Sequence, residues 1–201
     1  MQKINQHILS QSDAEKISHA LNNSGVIAFP TDTVWGLGCN PLDEIAVRKI
    51  YEIKKRDGNK PLILMSGRLE YLLPFIGELS PEEKGMFEKF SPGALTLITK
   101  KSKLTPDYMT SGFDTVGIRI PNHPVFAEIA DLAPDKVLAT TSANLSTQPS
   151  SLKKEDVLEY FGKNLNFVTN DFGYFAENLE STIIKYENGW HVLRQGVVKI
   201  G

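Results

Sequence analysis

Polar and charged residues arrive in this chain where apolar runs have just ended, and four such places suit phosphate or carboxylate chemistry. After Val26-Ile27-Ala28-Phe29 comes Pro30-Thr31-Asp32-Thr33-Val34-Trp35-Gly36-Leu37-Gly38. Hydroxyls and glycines around a tryptophan describe a tight loop that lets backbone approach a ligand, with a plain structural turn around a core tryptophan as the competing reading. Lys54-Lys55-Arg56-Asp57-Gly58-Asn59-Lys60-Pro61 puts four cations within seven residues. Taken alone, this is most simply a solvated helix end, where positive charge suits the macrodipole. Residues two apart share a face in extended chain but not on a helix, so joint action of Lys54 and Arg56 requires the helix to be unwinding there, as Gly58 allows. Val137-Leu138-Ala139-Thr140-Thr141-Ser142-Ala143-Asn144 runs from a strand into hydroxyls and an amide, with Ser142 and Asn144 again two apart. Open α/β sheets bind ligands beyond such strand ends, although a polar turn also fits. Arg119 stands inside Val116-Gly117-Ile118-Arg119-Ile120, where a charge is costly unless it is paired, bound or turned to a solvent-facing edge.

Other chemistries find no support. There is no G-x-x-x-x-G-K-[ST], no G-x-G-x-x-G after a strand and no H-E-x-x-H. His7, His19, His123 and His191 lack ligand spacing, which leaves surface or capping roles, and no Ser–His–Asp set follows from their order. A lone cysteine, Cys39, excludes an intramolecular disulfide and a cysteine-built zinc site.

The elements that must position these residues alternate between apolar and amphipathic segments, which predicts a mixed α/β domain. Ser12-Asp13-Ala14-Glu15 reads as a capping box opening a helix that Gly25 ends. Helices are also expected from about Asp43 to Lys55, with Ala46, Val47, Ile50 and Tyr51 inward, from Ser80-Pro81-Glu82-Glu83 onward, over Asn122 to Leu132, and over Lys153 to Phe161 with Gly162 as stop. Strands are expected at Val26–Phe29, Leu62–Met65, Leu95–Thr99, Thr115–Ile120 and Val137–Thr141. Asn188-Gly189, between Ser181–Tyr186 and Trp190–Arg194, marks a hairpin, since both residues tolerate the positive φ of a type I′ turn. With no repeat and no dividing linker, residues 1–201 are read as one domain. At 201 residues, 41% hydrophobic and 23% charged, the composition is that of an ordinary soluble globular protein. The net charge of −2 gives no overall pull on nucleic acid, while leaving a local basic patch open. Without a signal peptide or an apolar run of membrane-spanning length, the expected location is the cytoplasm.

Together the segments resemble the YrdC/Sua5 family, the threonylcarbamoyl-AMP synthases, in its short bacterial form. The resemblance runs in order through Pro30–Gly38, Lys54-x-Arg56 with Lys60-Pro61-Leu62, Ser91-Pro92-Gly93-Ala94-Leu95-Thr96, Thr115–Pro121 with His123-Pro124, Ser142-Ala143-Asn144-Leu145-Ser146, and Ser181-Thr182-Ile183 with Leu193-Arg194-Gln195-Gly196. It implies a twisted mixed sheet flanked by helices around a concave, basic cavity. It implies a reaction in which threonine's amine takes up bicarbonate and the carbamate attacks the α-phosphate of ATP, releasing pyrophosphate, in the route to N6-threonylcarbamoyladenosine at position 37 of tRNAs that read ANN codons. By the same resemblance Lys54, Arg56, Ser142 and Asn144 form a catalytic tetrad. Arg56, Lys60, Thr115, Ser142, Ser150 and Arg194 fall at ATP-contacting positions, and Thr33, Arg119, Thr140 and Ser181 at threonine-contacting ones. Mg²⁺ is expected with ATP, held mostly by phosphates and water. Met65 stands where some longer relatives carry a histidine, Ala94 where proline is common and Thr147 where glycine is frequent. The extra C-terminal domain of the longer form is absent from this sequence.

The partners implied are ATP, L-threonine, bicarbonate and, transiently, threonylcarbamoyl-transferase proteins of the same tRNA-modification pathway. The main alternative is a non-catalytic module binding tRNA or ribosomal RNA in the same basic cavity, which would have no use for an amino-acid pocket at Thr33, Arg119 and Ser181. A carbamoyl-adenylate activity for hydrogenase maturation is a third reading, disfavoured because such relatives are parts of much larger chains.

Overall fold

The computed structural model describes residues 7–55, 60–146, 148–174, 176 and 179–200. In chain order these form α1 (Gln11–Asn22), β1 (Ile27–Phe29), β2 (Gly36–Cys39), α2 (Glu44–Lys54), β3 (Ile63–Ser66), α3 (Leu69–Leu72), α4 (Pro81–Phe90) and β4 (Leu95–Lys100). There follow α5 (Asp107–Thr110), β5 (Thr115–Arg119), α6 (Pro124–Leu132), β6 (Val137–Ser142), α7 (Lys154–Phe161), β7 (Phe167–Val168), β8 (Thr182–Tyr186) and β9 (Trp190–Arg194). The strands join one mixed, nine-stranded sheet in the order β7-β1-β2-β6-β3-β5-β4-β8-β9. Pairs β1–β7, β3–β5 and β4–β8 are parallel and the rest antiparallel.

Local chemistry explains most boundaries. Ser80 and Glu83 exchange side-chain and backbone hydrogen bonds in a full capping box, with Pro81 at the first helical position. Asp43 caps α2 through the Ala46 N–H, and Lys55, in the left-handed conformation at φ 48°, ends it. The box expected at Ser12 is a correction. Ser10, two positions earlier, accepts the Asp13 N–H at 3.1 Å, and Glu15 is engaged by Gln11 instead. α7 does end at Phe161 with Gly162 as its C-cap, but at φ −51° this glycine is not left-handed and leads into a 3₁₀ turn, Gly162–Asn164. The hairpin forms with positive φ at Asn188 and Gly189, but its loop is the three residues 187–189 between paired Tyr186 and Trp190.

Gly36–Cys39, expected as loop, is a strand. Two glycines weaken its β-propensity and hide its alternation, yet it pairs along both edges with β1 and β6. Its Leu37 and Cys39 enter the larger core, and burial pushes the Cys39 thiol well above its ordinary range.

The two faces of the sheet are covered unequally. Under one face, Ala46, Val47 and Ile50 of α2, Phe87 of α4, Met109 of α5, and Val157 and Phe161 of α7 pack on Leu64, Leu97, Ile118 and Ala139. On the other, α1 and α6 cover the sheet from β7 and β1 across to β6 and β3, where Ile17, Leu21, Phe126 and Ile129 meet Ile27, Phe29, Met65 and Leu138. Beyond α6 no helix among the described residues packs on that face, and its alternating positions turn polar: Leu138 gives way to Thr140 and Ser142 along β6.

Candidate active site

The part of the sheet beyond α6 floors a cavity of about 440 Å³. Strand alternation sends Thr140 and Ser142 of β6, Ile63 and Met65 of β3, Arg119 of β5, Thr96 and Ile98 of β4 and Ile183 of β8 to this one face, and all line it. Thr31 and Thr33 to Gly36 form one wall, Lys60, Pro61 and Phe113 another, and Glu180, Ser181 and Arg194 a third. Gly117 keeps the floor low, because a Cβ there would lie 2.7 Å from Ile63 Cγ2 and 3.1 Å from Ile98 Cδ1.

Arg119 is the buried centre of charge. It lies on a central strand and is 2% exposed, which excludes the solvent-facing edge position. Its Nε donates to the Gly93 carbonyl at 3.0 Å, Nη1 to the Thr33 hydroxyl at 2.8 Å and Nη2 to the Asp32 carboxylate at 2.5 Å. Burial lowers its pKa, with Arg194 adding to the effect and Asp32 opposing it, but a guanidinium stays charged regardless. Of its five N–H groups, three have acceptors among the described residues, and Arg119 lines the cavity. The Thr31 hydroxyl holds the loop by donating to the Val34 carbonyl at 2.6 Å and accepting from the Thr33 and Val34 N–H groups.

A second node stands across the cavity. Arg194 reaches over β8 to the Ser181 carbonyl and hydroxyl and pairs with Glu180. The other Glu180 oxygen accepts from the Ser150 hydroxyl at 2.7 Å, and Ser181 shares a hydrogen bond of 2.8 Å with buried Thr96.

Lys54 is a buried cation held at the end of β6. It is 1% exposed and does not line the cavity. Its ammonium donates to the Ser142 carbonyl, to the Asn144 carbonyl at 2.8 Å and to Asn144 Oδ1 at 2.9 Å. The Ser142 hydroxyl donates to the same Oδ1 at 2.7 Å, and Asn144 Nδ2 to the Gln148 carbonyl. Lys54, Ser142 and Asn144 therefore form one cluster at the end of β6, with Ser142 its member on the cavity.

A family model of Sua5/YciO/YrdC proteins, described as "Telomere recombination", matches residues 19–196. The chain belongs to the Sua5/YciO/YrdC family. A threonylcarbamoyl-AMP synthase of Vibrio campbellii is 36% identical over 184 residues, 90% of this chain and 98% of that protein. One of Pyrococcus abyssi is 38% identical over 159 residues, 79% of this chain and 46% of that protein, so the chain spans about half the length of this archaeal relative. The crystal structure of P. abyssi Sua5 complexed with L-threonine superposes with a TM-score of 0.87 at 33% identity, over 94% of this chain and 55% of that one.

Of the positions that the family resemblance assigns to threonine, Thr33, Arg119, Thr140 and Ser181 all line the cavity. Of those assigned to ATP, Lys60, Ser142 and Arg194 line it too. Ser150 lines an adjoining pocket that shares Val34, Glu180 and Arg194 with it. Thr115 lies in a separate groove further along the same face, which meets the cavity at Ile98. Arg56 and Thr147 fall outside the described residues. Met65 fills its place with an apolar wall. Sequence reasoning singled out neither Asp32 nor Glu180, the carboxylates that hold the two arginines, nor Phe113; only the position of Asp32 inside the Pro30–Gly38 segment hinted at it. Among the described residues no group of three His, Cys, Asp or Glu is placed to hold a metal ion, and no helix is long and apolar enough to cross a membrane.

Proposed function

We propose that this chain is an L-threonylcarbamoyladenylate synthase. The carrying observation is Arg119, a buried guanidinium on the wall of a hydroxyl-rich cavity, since an arginine fork is the natural partner of an amino-acid carboxylate. Threonine's amine takes up bicarbonate with loss of water. The carbamate oxygen then attacks the α-phosphorus of ATP as the bond to pyrophosphate breaks. The nucleophile is already an oxyanion, so no general base is needed, and none of the histidines lines the cavity. Catalysis rests on fixed donors and cations that meet developing charge on the phosphate oxygens. That role falls to Ser142, Lys60 and Arg194 at the cavity, to Arg56, and to Lys54 and Asn144 through the β6 turn, with Ser150 and Thr115 toward the nucleotide. Mg²⁺ would come with ATP and supply charge neutralisation at the phosphates, since the carboxylates beside the two arginines, Asp32 and Glu180, are each paired with an arginine. The product serves threonylcarbamoylation of tRNA in the cytoplasm and passes to a transferase in transient contact. RNA binding without catalysis gives no purpose to the buried Arg119 fork.

Incubation with ATP, threonine and bicarbonate, read by mass spectrometry for the AMP-linked product and by pyrophosphate release, tests this. Release is expected to require both threonine and bicarbonate. Serine should serve poorly, since one methyl in a fitted pocket is worth about 1–3 kcal/mol. Equal pyrophosphate release without any amino acid would overturn the assignment.

A further inference from the structure

Phe113 is a large aromatic residue that the fold leaves 53% exposed on the cavity wall. Its position is fixed rather than incidental. The Phe113 N–H donates to the Thr110 carbonyl at 3.1 Å, and its carbonyl accepts from the Thr110 hydroxyl at 3.0 Å. Thr110 is fully buried and is itself held by Lys101 at 2.9 Å. The turn between them uses positive φ at Ser111 and Gly112, 56° and 79°. An exposed phenyl ring on a backbone pinned this firmly forgoes its own burial, which makes it available to a partner.

Its neighbours say what kind of partner. Pairing with β4 continues past the start of β5, where the Lys101 N–H donates to the Asp114 carbonyl at 3.0 Å. Phe113 therefore precedes the strand that carries Gly117 and Arg119, at most about 20 Å from Arg119 at roughly 3.3 Å per residue. Between them the bare Gly117 backbone lets Ile63 and Ile98 close into a flat floor, with Pro61 beside it on the cavity wall. One end of the cavity thus offers a buried guanidinium to a carboxylate, and the other an apolar slot edged by an exposed ring. A threonylcarbamoyl-adenylate has the same polarity, with a carboxylate at one end and a purine at the other. We propose that Phe113 is the stacking platform for the nucleobase and so selects a heteroaromatic nucleotide over a bare polyphosphate. This rests on the synthase reading for its ligand.

Calorimetric binding of ATP, inorganic tripolyphosphate and L-threonine to the whole chain separates the possibilities. Phe113→Ala should weaken ATP about tenfold to a hundredfold, the usual range for one stacked base. It should leave tripolyphosphate and threonine affinities unchanged, and Phe113→Trp should recover most of the ATP affinity. Unchanged ATP affinity in Phe113→Ala, or an equal loss for tripolyphosphate, would overturn the platform while leaving the synthase reading intact. Wild-type protein that binds neither ATP nor threonine would overturn the synthase reading and this inference with it.

Discussion

Lys54 shows how a buried cation can matter to a site without facing it. Its acceptors lie 88 and 90 residues away, at Ser142 and Asn144, so no local pattern announces them, although Lys54 itself stands out as one of a cluster of cations. Replacing it by methionine keeps the stem and strands the acceptors. Hydrogen bonds to a charged group contribute about 1.5–3 kcal/mol each, and an orphaned buried acceptor costs a comparable amount. Lys54→Met should therefore lose about 3 kcal/mol of stability, which at this size is roughly 6–12 °C in Tm. A melting curve decides it: a variant that melts like the wild type would return Lys54 to a purely catalytic role. Arg119 was similarly legible as a costly charge in an apolar run, whereas Asp32, 87 residues distant in the pair, was not. Pairing across the chain is set by the tertiary fold, and residue spacing carries no record of it.

Several elements whose ends are built from local hydrogen bonds were readable, namely Ser80 with Glu83, Asp43 with Ala46, and Asn188-Gly189 in its hairpin, although the cap of α1 lay at Ser10 rather than Ser12. β2 was not, because its glycines carry neither propensity nor alternation, and the sheet alone makes it a strand. His123 tests an element directly. It caps α6 by accepting the Phe126 N–H at Nδ1, is 5% exposed, touches the Tyr174 ring edge-on, and among the described residues its Nε2 has no partner. Burial lowers its pKa below the ordinary 6.5, while Asp32 and Asp171 push the other way. The folded chain therefore favours the neutral ring. This stabilisation is complete above the unfolded value and is lost as pH falls below about 6.5, where the unfolded chain takes up the proton first. Tm measured from about pH 7.5 to 5.5 should fall for the wild type. It should fall less for His123→Asn, which still caps the helix but cannot titrate. Parallel pH profiles for the two proteins would refute the assignment.

At the scale of the whole molecule, the strand order was hidden from the sequence. β3 lies between β5 and β6, and β4 between β5 and β8, so the cavity floor is assembled from segments whose adjacency only the sheet decides. The same assembly leaves both arginines that line the cavity among the described residues matched to carboxylates, Arg119 to Asp32 and Arg194 to Glu180. At these two arginines an incoming carboxylate or triphosphate joins or displaces an anion the chain supplies. Such an exchange moves few counterions, so ATP affinity should depend on ionic strength less than capture by unpaired cations would require. Titrations across a tenfold range of salt check this, and a steep decline would contradict it. Turnover acquires a directional consequence as well. When the adenylate departs, Glu180 is at hand to recombine with Arg194, so the site's own counter-ion competes against rebinding and favours release of a labile product.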